Sequence, residues 1–136
     1  MRRTRKNMSV LTKIGYGLSG LVGAGIIVVG ARFLLVPQAA AAQYGITAEP
    51  PDGPPDPYLA AKGVRDIASG IAAFALLAAR KPRILGGYLV AASIIPIGDG
   101  INVLRHDGPK ATAYGVHGAT AAAMLATAAI LFSAPA

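Results

Sequence analysis

The chain has 136 residues, enough for one domain, of which 54% are hydrophobic and 14% charged; an ordinary soluble domain carries about a quarter charged residues, so a typical water-covered core is excluded. Thirteen Lys and Arg against six acidic residues leave a net charge of +7, but the basic residues flank hydrophobic runs and do not alternate with aromatics, which speaks against nucleic acid and for a lipid bilayer as partner. With no cysteine, disulfides, thiolate catalysis and Cys-based metal sites are excluded.

In chain order, Arg2, Arg3, Arg5, Lys6 and Lys13 precede a first hydrophobic run from Ile14 to Val36. A helix needs about 20 apolar residues to cross roughly 30 Å of hydrocarbon, so this run is read as a membrane span. Gly15-Tyr16-Gly17-Leu18-Ser19-Gly20 matches the dinucleotide-binding fingerprint by letter, but no strand precedes it and no acidic residue follows at the required distance. Gly15, Ser19 and Gly23 instead form a face of small residues, suited to close approach of another helix, either within the chain or in a second copy as a homo-oligomer. A cleaved secretory signal ending at Ala39 to Ala42 is the rival reading; the run is long for a signal core and carries Arg32 before any small-residue site, so an uncleaved span fits better.

The link from Pro37 to Pro57 opens with an Ala-rich piece, Gln38 to Ile46, expected as a short interfacial helix. It continues as a stiff Pro-rich stretch with Glu49, Asp52 and Asp56. Three further spans follow: Leu59 to Ala79, Ile84 to Leu104 and Ala111 to Phe132. Pro96, followed by Gly98 and Gly100, predicts a kink in the third, because proline removes one helical hydrogen bond and frees the Ala92 carbonyl. The expectation is an all-α, four-helix transmembrane bundle of antiparallel, up-down topology, residues 1–136 forming one integral membrane domain. Arg80, Lys81 and Arg83 join the N-terminal cluster on the cytoplasmic side, which places both termini inside a cell membrane and the 37–57 loop outside.

Ionisable groups inside a span cost about 2.5 to 3.5 kcal/mol each, so each asks for a partner or a water-filled cavity. The spans carry Arg32, then Arg65 and Asp66, then Asp99 and Asn102, then Tyr114 and His117. All lie at similar depth from the outer ends, and the two arginines balance the two aspartates. Asp99 with Asn102 and Tyr114 with His117 share an i, i+3 spacing that puts each pair on one helix face. The expected pairs are Arg65 with Asp99 and Arg32 with Asp66. Such a layer reads as structural glue, as a pocket for a ligand, or as an ion path. His106 reads as a loop histidine. Two histidines without ligand spacing do not make a zinc site, no cofactor is implied, and a serine triad lacks its elbow motif.

Leu35-Val36-Pro37, Tyr44-Gly45-Ile46, Lys62-Gly63-Val64-Arg65-Asp66-Ile67 with Gly70, Gly98-Asp99 with Val103, and His117-Gly118-Ala119 together resemble a family of short bacterial and fungal four-helix membrane proteins of unknown function, distantly similar to the DoxX-like group. The resemblance implies a four-helix membrane fold with a polar cluster containing Arg65, Asp66 and Asp99, and no established activity. The functional expectation is a protein binding a small amphipathic molecule or lipid headgroup in an outward-facing pocket, or an accessory membrane protein. The alternative is a membrane enzyme using Asp66, Asp99 and His117 as acid and base on a lipophilic substrate.

Overall fold

A computed structural model describes residues 8–46 and 56–134; the N-terminal basic cluster Arg2 to Lys6 and the Pro-rich stretch with Glu49 and Asp52 lie outside the described residues. The described residues form five helices and no strand. We number them α1 (Val10–Leu35), α2 (Pro37–Tyr44), α3 (Pro57–Ala78), α4 (Pro82–Arg105) and α5 (Lys110–Ser133). Their starts follow local chemistry. Ser9 caps α1, its side chain accepting from the Thr12 amide at 3.1 Å, and Asp56 caps α3 by accepting from Tyr58 at 2.8 Å. α2, α3 and α4 each begin with proline, whose missing N–H needs no partner in a first turn.

Two expectations change. The fold has five helices where a four-helix bundle was expected, the additional one being the short helix expected in the 37–57 link, which Pro37 starts directly after α1. Three helices, α1, α4 and α5, are long and apolar enough to cross a membrane. α3 has the length, at 22 residues, but Lys62, Arg65 and Asp66 crowd its first half. The expected kink in α4 is present as an interruption at Ser93, about one turn before Pro96, because the proline ring and its missing donor act on the turn behind it. There the Ser93 hydroxyl donates to the Val90 carbonyl at 2.7 Å.

Glycines set how the helices pack. Gly30 on α1 faces Gly63 on α3, and Gly23 faces Gly70, so the two helices run antiparallel in close contact. A Cβ added at Gly30 would lie 2.6 Å from the Gly63 carbonyl oxygen, one at Gly63 would lie 2.7 Å from the Gly30 oxygen, and one at Gly70 would lie 2.6 Å from the Gly23 oxygen. Backbones meet there with nothing between them, the usual route to tight association where lipid removes the hydrophobic drive. Gly15 presses on Leu131 of α5, and Ser19 is buried. Of the two partners expected for the Gly15/Ser19/Gly23 face, a helix of the same chain or a second copy, the face meets helices of its own chain.

At the far end of α5, Leu85, Leu89 and Ala92 of α4 pack with Met124, Ala128 and Leu131 into the apolar core. The outside is apolar as well: Leu21, Val28, Leu35, Val64, Ile71 and Ile94 are all exposed. That inverted surface suits a bilayer, not water.

Gly30→Ala and Gly63→Ala are each expected to destabilise the protein by about 1 to 3 kcal/mol, the range for overpacking a close contact. Gly17→Ala, whose Cβ would meet nothing within 4 Å, is expected to be neutral. Thermal unfolding of the three variants in one detergent measures the difference.

Candidate functional site

Where α1 ends, α3 begins and α5 begins, four charged side chains meet. Lys62, about one turn into α3, extends its ammonium between two carboxylates, 2.8 Å from Asp66 Oδ2 and 3.2 Å from Asp99 Oδ2. Asp66 follows Lys62 at i+4 and so lies on the same face of α3; Asp99 reaches across from α4. Arg65 stands on the rim, about half exposed, with its Nε 3.5 Å from Asp66 Oδ1 and its Nη2 3.9 Å from Asp99 Oδ1. Asp66 is the deepest of the four, 6% exposed at its side chain.

Two aromatic rings complete the surroundings of Lys62, which sits 5.1 Å from the ring centres of both Phe33 and Tyr44. Such contacts favour a cation by about 0.5 to 2 kcal/mol, more when water is excluded. Phe33 is the last buried residue of α1, and its ring meets Tyr44 edge-on at 6.1 Å. α2 delivers Tyr44 because Gly45 ends that helix at φ 99°, a conformation strained for any side chain; a Cβ there would also lie 3.0 Å from Val103. The Tyr44 hydroxyl lies near Asn102 and Asp99. Burial, together with the Asp99 charge, pushes its pKa up to about 12 against the opposing pull of Asn102 and Arg65.

His117 closes the site from α5. Its ring stacks edge-on against Tyr44 at 4.7 Å, and its Nε2 lies 2.9 Å from the Tyr44 carbonyl. The backbone around it, Ala113–Gly118, is π-helical, a local widening frequent at functional sites. Gly100 of α4 makes room, since a Cβ there would lie 3.3 Å from that of His117.

The expected layer is thus largely assembled, with changes of membership. Arg65, Asp66, Asp99, Asn102 and His117 come together. Arg32 does not: it forms no ion pair among the described residues, and Asp66 takes Lys62 and Arg65 in its place. Tyr114 is 65% exposed, because the π-helical turn rotates it away from the face that i, i+3 spacing would share with His117. Lys62, Phe33 and Tyr44 were missed. The available signals were the i+4 spacing of Lys62 to Asp66 and the presence of Lys62 and Tyr44 in the motifs of the family resemblance; Phe33 carried none beyond being aromatic. His106 bonds back to the Asn102 carbonyl and stays in the loop. Among the described residues, no three His, Asp or Glu side chains group as metal ligands would.

Below this cluster a cavity of about 460 Å³ runs between the helices. Its wall is mainly aliphatic, with Val22, Ile26 and Val29 of α1, Ile95 and Pro96 of α4 and Met124 of α5, while Lys62, Asp66, Asp99 and His117 stand at one end. Leu21 and Gly25 of α1 and Val116 and Ala123 of α5 line it and are exposed, so the cavity opens sideways between α1 and α5.

A family model described as Domain of unknown function (DUF4267) matches residues 23–131. The chain belongs to this family. The matched stretch contains both glycine pairs between α1 and α3 and every residue of the charged cluster. No curated protein and no solved structure matches the chain.

Lys62→Met leaves two facing carboxylates without their shared cation and is expected to cost about 2 to 4 kcal/mol, near the range for breaking a buried pair. Adding Asp99→Asn is expected to recover at least about 1 kcal/mol, a coupling that a double-mutant cycle on unfolding in detergent reads directly. Arg32→Gln is expected to change stability by less than about 0.5 kcal/mol. A separate alkaline titration tests Tyr44. Its folded pKa is raised above the ordinary 10.0, so the unfolded chain loses that proton first, and stability should fall between about pH 10 and 12; Tyr44→Phe should flatten that decline.

Proposed function

We propose that this member of the DUF4267 family is a membrane-embedded binding protein that holds one small amphipathic molecule, its apolar body in the cavity and its polar end at Lys62, Asp66, Asp99, Tyr44 and His117. The observation that carries this reading is the cavity itself. At about 460 Å³ it falls within the range of small-molecule pockets, about 300 to 1,000 Å³, and it has their usual make-up of apolar wall with a few convergent polar groups. Its sideways opening between α1 and α5 gives access from the hydrocarbon, where such a molecule would dissolve.

The same reading has α3 cross the bilayer as a fourth span within a single membrane domain. Its charges are compensated on one side, while Val64, Ile71 and Phe74 are exposed on others. Arg80, Lys81 and Arg83 are exposed in and beside the short link at the opposite end from the cluster, in keeping with a cytoplasmic position for that end and an outward-facing site in a cell membrane. The likeness to the DoxX-like group rests on the motifs quoted above. An acid-base role for Asp66 or Asp99 has less support, since Lys62 and Arg65 hold both carboxylates in ion pairs.

Native mass spectrometry of the full chain released from nanodiscs tests the reading. The expected result is about one retained lipophilic molecule per chain, lost in Gly25→Phe. Gly25 lines the cavity and has nothing within 4 Å of an added Cβ, so that variant fills the space without disturbing the packing. Gly17→Phe, pointing away from the cavity, should retain the molecule. Equal retention by wild type and Gly25→Phe, or none by folded wild type, overturns it.

A further inference from the structure

The hydrogen-bonding capacity of the cavity wall is almost entirely used. Its serine and threonine hydroxyls donate to their own helices: Ser69 to the Arg65 carbonyl at 2.9 Å, Thr120 to Val116 at 2.7 Å and Thr127 to Ala123 at 2.7 Å. Lys62 has three N–H bonds; two point at Asp66 and Asp99, and its remaining surface faces the rings of Phe33 and Tyr44. The formal charges of Lys62 and Arg65 equal those of Asp66 and Asp99. The wall's serine and threonine hydroxyls and two of the three Lys62 N–H bonds are thus committed, and its formal charge is balanced.

It does have a spare acceptor. His117 Nε2 lies 2.9 Å from the Tyr44 carbonyl, and a carbonyl carries no hydrogen, so Nε2 must be the donor. In the neutral ring Nδ1 is then an acceptor. Nδ1 has no hydrogen-bond partner among the described residues, yet no buried side-chain nitrogen or oxygen there is left unpaired; Nδ1 is accordingly not sealed in the interior, and His117 lines the cavity. The unused lone pairs of Asp66 and Asp99 add to the acceptor character of this end.

Building on the binding role above, we infer that the occupant is an uncharged lipophilic alcohol whose hydroxyl donates to His117 Nδ1 while its hydrocarbon lies along Val22, Ile26, Ile95 and Met124. Other headgroups meet the wall less well. A carboxylate or phosphate would have to take Lys62 from two aspartates, and an ammonium would add a third cation to a site whose two carboxylates are already balanced by Lys62 and Arg65. A ketone or ester offers only acceptors and leaves His117 Nδ1 unpaired, an expensive arrangement away from water. A hydroxyl supplies the one hydrogen the site lacks.

A chain-matched series decides this: dodecanol, dodecanone, dodecanoate and dodecylammonium, offered in equal amounts to the full protein in phosphatidylcholine nanodiscs and read by native mass spectrometry. The expected result is retention of dodecanol about tenfold above the other three, the scale of one hydrogen bond, with His117→Phe abolishing the preference. Nitrogen NMR of the His117 ring gives a readout that needs no variant: an unprotonated Nδ1 whose signal shifts with dodecanol and not with dodecanone. Equal or greater retention of the ketone or of either charged compound, or a proton found on Nδ1 in place of Nε2, overturns the alcohol while leaving the binding role intact. Retention of none of the four by folded protein overturns both.

Discussion

An ammonium lodged between two carboxylates is what lets α3 belong to this fold. Three ionisable residues in the first half of one helix would cost roughly 2.5 to 3.5 kcal/mol apiece at the centre of a bilayer, and α3 is the long helix whose charges keep it from qualifying as a span by composition. Lys62 answers Asp66 on its own helix and Asp99 on α4 at once. One side chain thus neutralises its neighbour and ties together two helices that otherwise share few contacts. Arg65 completes the balance from the rim, where about half of its side chain stays exposed.

That tie would have little to position without the glycine contacts behind it. Gly23 and Gly30 on one helix, Gly63 and Gly70 on the other, repeat at seven residues and bring two backbones together along α1 and α3. On α3 the buried face reads Gly63, Asp66, Gly70, Ala73, so the residue that must find a cation lies on the same face as those that must have no side chain. Close approach on that side is matched by separation on the other. α1 meets α5 where Gly15 receives Leu131, and toward the charged end the wall between them opens into the cavity.

Much of this was legible in the sequence. Helices and their approximate limits followed from apolar runs bounded by proline and charge, and the need for a self-neutralising layer followed from the expense of burying charge. The failures have specific causes. Lys62 lies inside the Leu59 to Ala79 run, four residues before Asp66, yet was not counted among the ionisable groups that need a partner there. Arg32 and Phe33 are adjacent, about 100° apart around α1, and the fold turns the aromatic inward. The pairing of Tyr114 with His117 assumed a regular α-helix, and the π-helical turn at Ala113–Gly118 breaks the periodicity on which that inference relied. Small-residue spacing revealed that Gly15, Ser19 and Gly23 meet a helix, but spacing carries no information on whether that helix belongs to the same chain.

The irregular backbone follows one rule. Non-helical or distorted segments at membrane depth are tolerated where they are enclosed by protein or line a cavity, because lipid cannot satisfy a freed carbonyl. α4 is interrupted at Ser93, between the cavity-lining residues Ala92 and Ile95, and α5 widens at Val116 and His117, which line it too. Two departures from the α-helix, on different helices and with different causes, therefore border the same space. The first moves Pro96 and Asp99 relative to the apolar half of α4; the second carries His117 inward beneath the Tyr44 carbonyl. Regular helices through both positions would shift the polar end of the cavity relative to its apolar wall, so the distortions act on the relation between the two parts that an amphipathic occupant would have to match.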